Sequence, residues 1–137
     1  MDFNQFDSRA AADKGAWMHV RSPINGKPMF DDGKPCRVKV LGVEGEIGQK
    51  LMSDARKQMK GDLDEIDAQD RMVSEALPLI VDFENIHRGK KLATAPDDSE
   101  WFLRMQKVVG GNEKSFVEQV RDFALIRANF LGNGLPD

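Results

Sequence analysis

The sequence predicts an α+β fold, mostly helical: an N-terminal antiparallel β-hairpin followed by about four helices. Three observations predict it. Residues 16–21 and 36–41 alternate between apolar and polar side chains, the period of a half-buried strand. From Glu44 onward apolar residues recur every three or four positions, the period of an amphipathic helix. Clusters of Gly, Pro, Asn and Asp separate the two regimes and mark turns. Strands first and helices after give an architecture with segregated elements.

The elements follow in order. Residues 1–15 are expected to be a flexible arm or a short helix. Asp7 or Ser8 can cap a turn through Arg9-Ala10-Ala11-Ala12, and Gly15 stops it. Residues 16–131 form one α+β domain. In Ala16-Trp17-Met18-His19-Val20-Arg21, Trp17, His19 and Arg21 share one face and Met18 and Val20 the other. Asn25-Gly26 and Asp31-Asp32-Gly33 supply turn chemistry, with room for a short extra strand at Met29-Phe30. Cys36, Val38 and Val40 then face inward while Arg37 and Lys39 face out.

A first long helix carries Ile47, Leu51, Met52, Ala55 and Met59, and Gly61 ends it. A second carries Leu63, Ile66, Val73, Leu77 and Ile80 with Asp70 as its polar member. Asp62, Asp64, Glu65 and Asp67 lie in its first turn, where the helix dipole favours acids, and Pro78 kinks or ends it. A third helix starts at Asp97 or Asp98, shows Trp101, Phe102, Met105, Val108 and Val109 on its apolar face, and stops at Gly110-Gly111. Asn112 caps the last, which carries Phe116, Val117, Val120, Phe123, Ala124 and Leu131. Residues 132–137 form a loose tail.

A chain of 137 residues is long enough for one modest core. Its net charge of -3, with Lys and Arg interleaved with acids, argues against nucleic acid as a partner. A single cysteine, Cys36, rules out an intrachain disulfide and fits a reducing compartment. No apolar run approaches the roughly 18 residues a membrane span needs, and the polar start Met1-Asp2-Phe3-Asn4-Gln5-Phe6-Asp7 lacks the features of a secretion signal.

No reactive constellation emerges. Gly42, Gly45 and Gly48 stand where a phosphate loop would be, between strand and helix. Their spacing is wrong, and Glu44 and Glu46 would repel an anion. A calcium loop from Asp62 would need Gly at its sixth position and Glu at its twelfth, where Asp67 and Val73 stand. His19, His87 and Cys36 match no zinc spacing. Arg88, Lys90 and Lys91 make a small basic turn with no aromatic partner of its own. No catalytic, cofactor-binding or metal-binding residue is therefore expected, and the chain is read as a protein other than an enzyme.

An ordered set of features carries a resemblance. Trp17-Met18-His19-Val20 is followed by Pro23-x-x-Gly26-Lys27-Pro28, then by Arg37-Val38-Lys39-Val40-Leu41-Gly42 leading into a charged helix. Leu79-Ile80-Val81-Asp82-Phe83-Glu84-Asn85-Ile86 precedes a Gly-Lys turn, a Pro96-Asp97 helix start and Trp101-Phe102-Leu103. Phe116-x-x-Gln119-Val120 and Arg127-Ala128-Asn129-Phe130-Leu131 close it. Over residues 16–131 the chain resembles the tail assembly chaperones of long-tailed bacteriophages.

That resemblance implies a protein of the host cytoplasm, absent from the mature virion. It implies binding to the tape measure protein, promotion of tail tube protein assembly around it, and no catalytic residues. Self-association is also open. The alternatives are a virion structural protein, such as a tail terminator or head–tail connector, and a small regulatory binding protein. Trp101, Phe102, Met105, Phe116, Val120, Phe123 and Phe130 are the candidate partner-binding residues, divided in unknown proportion between core and contact surface. Helix-in-groove contact is the expected mode.

Overall fold

The computed structural model describes residues 1–58 and 67–132. Met59, Gly61, Asp62, Leu63, Asp64, Glu65 and Ile66, with the tail beyond Gly132, lie outside the described residues. The molecule mixes helices with small antiparallel sheets.

The first alternating run forms β1 (Ala16–His19) and the second β4 (Arg37–Val40), paired antiparallel with Met18 opposite Val38. The expected sidedness follows: Met18, Val20, Cys36, Val38 and Val40 are buried. The two strands are not a simple hairpin. Their connection folds a ribbon of its own, β2 (Phe30–Asp31) with β3 (Lys34–Pro35). β4 is also a centre strand, because β5 (Ile80–Glu84) pairs along its other side in the order β1-β4-β5.

β5 corrects the expectation that Ile80 continues a helical stripe. α3 (Ala68–Ala76) ends before Pro78, and Leu77–Leu79 makes one 3₁₀ turn. Proline cannot donate to a helix ladder, and the β-branched pair Ile80-Val81 suits a strand. Asp67 caps α3, its carboxylate accepting from the Gln69 N–H at 3.0 Å.

Helix α1 (Ser8–Lys14) is capped by Asp7, whose Oδ1 accepts from the Ala10 N–H at 3.1 Å. Its buried Ala12 packs on Gly42, where an added Cβ would come within 2.6 Å of the alanine methyl. Glycine is thus required at 42 by close approach of two backbones, and the Gly42 N–H donates to the Ala12 carbonyl at 3.1 Å. Helix α2 (Glu46–Gln58) follows.

The third predicted helix is much shorter than its apolar pattern suggests. α4 spans Ser99–Leu103 only. Side chains hold the chain beyond it in a non-helical path. Gln69 of α3 accepts from the Val108 N–H at 2.9 Å and donates to the Gln106 carbonyl at 2.8 Å. Gln106 in turn accepts from the Phe116 N–H at 3.0 Å. Backbone groups satisfied by amide side chains no longer need helical partners.

The last helix, α5 (Phe116–Leu125), starts at Ser115 rather than Asn112. Ser115 and Glu118 form a reciprocal capping box. α5 ends before Leu131: Ile126 is extended, and Arg127–Asn129 forms a 3₁₀ turn. Val117 and Val120 of α5, Phe102 and Leu103 of α4, Leu79, and Val38 and Val40 of β4 form the centre of the core, each at most 1% exposed. Gln119 clips α5 to the end of β1, accepting from the Arg21 N–H and donating to the Arg21 carbonyl, both at 2.9 Å.

Candidate binding pocket at the end of the sheet

The three sheet strands finish, at the Cys36 end of β4, beside α4 and the start of α5. A cavity of about 290 Å³ opens there to solvent, lined mainly by apolar groups. Phe102 and Phe116 form part of its floor, stacked nearly parallel with centroids 4.6 Å apart. Phe83 meets Phe102 edge-on at 5.4 Å. Trp101 and Met105 stand at the mouth, half-buried and 42% exposed respectively. Met29 and Ile86 complete the apolar lining.

Polar groups at the rim are already paired. The His87 Nδ1 lies 3.0 Å from the Asp31 carboxylate, which ties β6 (His87–Arg88) to β2. Arg88 stacks over the Trp101 ring at 5.3 Å and bonds Asp98 at 3.0 Å. Asp98 also accepts from the Thr94 N–H at 2.9 Å. That backbone bond first, and the Arg88 guanidinium second, hold its carboxyl below the usual range. β7 (Lys91–Leu92) returns the chain through a turn with Gly89 at φ 64°. Lys90 and Lys91 on that turn are exposed and have no ion-pair partner among the described residues.

Cys36 lines the pocket, and its thiol donates to the Asn85 carbonyl at 3.2 Å. Burial, and then the neighbouring Asp31, push its pKa up, so the thiol stays protonated and weakly nucleophilic at neutral pH. His19 sits in β1, its Nε2 2.8 Å from the Met29 carbonyl. Among the described residues no group of three or more His, Cys, Asp and Glu side chains is placed to hold a metal ion. The glycines at 42 and 48 serve close packing: a Cβ on Gly42 would strike Ala12 and Phe130, and one on Gly48 the Gly42 carbonyl. Glu44 between them pairs with Arg127 at 2.6 Å.

The structure separates the candidate contact residues. Trp101, Phe102, Met105 and Phe116 come together at this pocket. Phe102 and Phe116 are core, at 1% and 7% exposure, and Val120 is wholly buried away from it. Phe123 and Phe130 pack on each other elsewhere, centroids 5.5 Å apart, with Phe130 against Gly42. Met29, Ile86, Cys36 and Asn85 belong to the pocket and were not anticipated. Ile86 closes the run Leu79–Ile86, which was quoted for the resemblance alone, and Met29 was read only as part of a short extra strand. Among the described residues no helix is long and apolar enough to cross a membrane. Comparisons with family models, with curated proteins and with solved structures each gave no match.

Proposed function

We propose that this protein is a tail assembly chaperone of a long-tailed bacteriophage. It acts in the host cytoplasm, binds the tape measure protein and promotes assembly of the tail tube around it. The ordered resemblance over residues 16–131 names the family. The observation that carries the binding role is the open apolar pocket between the sheet end and α4, whose mouth holds Trp101 and Met105.

An apolar side chain on a client helix enters this pocket and removes the Trp101 and Met105 faces from water. Each large apolar side chain so covered stabilises the complex by up to about 1.5–3 kcal/mol. A long apolar client needs many such weak, adaptable contacts, and the Met29 and Met105 thioethers suit varied partners.

Co-expression with the tape measure protein tests the reading. Soluble client should rise several-fold with the wild-type chain and fall back with Met105→Lys, which places a charge at the pocket mouth. Unchanged client solubility with the wild-type chain would sink the chaperone role. Stoichiometric recovery of the chain from purified virions would replace it with a virion structural role.

A further inference from the structure

We propose that the free edge of β1 takes a fourth strand from a partner: an extended peptide segment in which apolar and acidic residues alternate. β1 is the outer strand in the order β1-β4-β5, so one of its edges has no strand beside it. Its pairing phase says which backbone groups that edge shows. The Val20 N–H donates to the Cys36 carbonyl at 2.9 Å, in phase with the register that sets Met18 opposite Val38 and Ala16 opposite Val40. In an antiparallel pair alternate residues exchange bonds with the neighbouring strand, and the residues between them turn N–H and C=O the other way. Trp17, His19 and Arg21 therefore turn theirs outward.

Arg21 shows what such an edge accepts. The Gln119 side chain accepts from its N–H and donates to its carbonyl, both at 2.9 Å, as a neighbouring strand residue would. Trp17 and His19 continue the same edge, and no segment among the described residues bonds their outward N–H or C=O. A row of unpaired backbone groups is a template for strand addition. There is room for the strand. A groove of about 450 Å³ touches Met18 and His19, which point to opposite faces of β1, and no residue of β4 or β5. It thus runs along the strand's edge rather than over a face of the sheet.

The two sides of the groove set the chemistry of its occupant. Toward α5 it offers Phe123, half-buried, and Ile126, 50% exposed, so every second residue of the added strand is apolar. The other side carries Trp17 and His19, with Arg37 over the Trp17 ring at 5.0 Å. Cations mark both ends of the edge. Lys14 precedes β1, and Arg21, which bonds the Gly26 carbonyl, follows it. Both are exposed, and neither makes an ion pair among the described residues. Asp122, a carboxylate in the groove wall, is already taken by Lys114. The residues between the apolar ones are therefore acidic. The same cations disfavour a second copy as the occupant, because two β1 edges paired antiparallel bring Lys14 of one near Arg21 of the other.

The test uses the purified full chain and a synthetic peptide, Glu-Val-Glu-Ile-Glu-Val-Glu with both ends blocked. No tape measure protein is present, so the outcome is independent of the chaperone reading. Calorimetric titration should show 1:1 binding, and the Trp17 and His19 amides should exchange hydrogen at least about tenfold more slowly in the complex. Replacing each Glu of the peptide by Lys should weaken binding at least about tenfold. Methylating alternate backbone nitrogens of the peptide leaves its side chains in place. One of the two phases should lose at least about tenfold in affinity and the other should keep it, because only one edge of the added strand meets β1. On the protein, Ile126→Glu should weaken binding to a similar extent. Trp17→Pro removes an outward N–H without touching the bonds to β4 and should do the same, with circular dichroism checking the fold. Should Trp17→Pro fail to fold, Ile126→Glu and the methylated peptides decide. No binding at millimolar peptide overturns the proposal, as does equal binding of both methylated peptides. Slowed exchange of the Trp17 and His19 amides in a peptide-free dimer overturns it too, giving the edge to a second copy.

Discussion

Asp98 carries more than its position in the chain suggests. It satisfies the Thr94 N–H ahead of α4 and pins Arg88, which lies over Trp101 at the pocket mouth. Because its carboxyl is held below the ordinary 3.8, the stability it adds is fully present above that value. It is lost as pH falls through the lowered one. In Asp98→Asn the ion pair with Arg88 is gone at every pH. The expected outcome is a lower Tm than wild type at neutral pH, with the gap closing as pH falls below 3.8 and through the lowered value, where the wild-type carboxylate protonates. Thermal unfolding followed by tryptophan fluorescence across pH checks this. Cys36 shows the reverse logic: its burial was readable from the alternation of residues 36–40, whereas its partner, the Asn85 carbonyl, was not.

At the scale of elements, apolar spacing marked where helices can form, and end chemistry fixed where they do. Trp101, Phe102, Met105, Val108 and Val109 have helical spacing, yet α4 stops at Leu103. Gln69 claims the Val108 N–H and the Gln106 carbonyl, backbone groups that a longer helix would use. α5 starts at Ser115 because the Ser115–Glu118 box satisfies two otherwise unpaired N–H groups. Asn112 has the right chemistry for a cap but no matching acid three residues on. Ser115→Ala should cost about 1 kcal/mol of unfolding free energy, measured by urea titration with an unchanged m-value. A loss below the error of the titration would mean that packing of Phe116 and Val117 alone sets the start of α5.

At the scale of the molecule, β4 and the α4–α5 pair share one core, so a single buried side chain reports on the whole. Leu103 is fully buried. Leu103→Ala should lower stability by about 2–5 kcal/mol, a large share of the roughly 5–15 kcal/mol of a typical domain, read as a fall in the urea midpoint. The sequence by itself determined which faces of β1 and β4 point inward. It also placed the turn at Gly33 and the stop at Gly15, because alternation and positive φ are local properties of neighbouring residues. Only the tertiary structure decided that Ile80–Glu84 becomes a third strand, that Phe102, Phe116 and Val120 are core, and that Met29, Ile86 and Trp101 meet around one cavity. An apolar run reads alike as helix or strand until a neighbour offers it hydrogen bonds, and a pocket exists only where residues far apart in sequence are brought to one place.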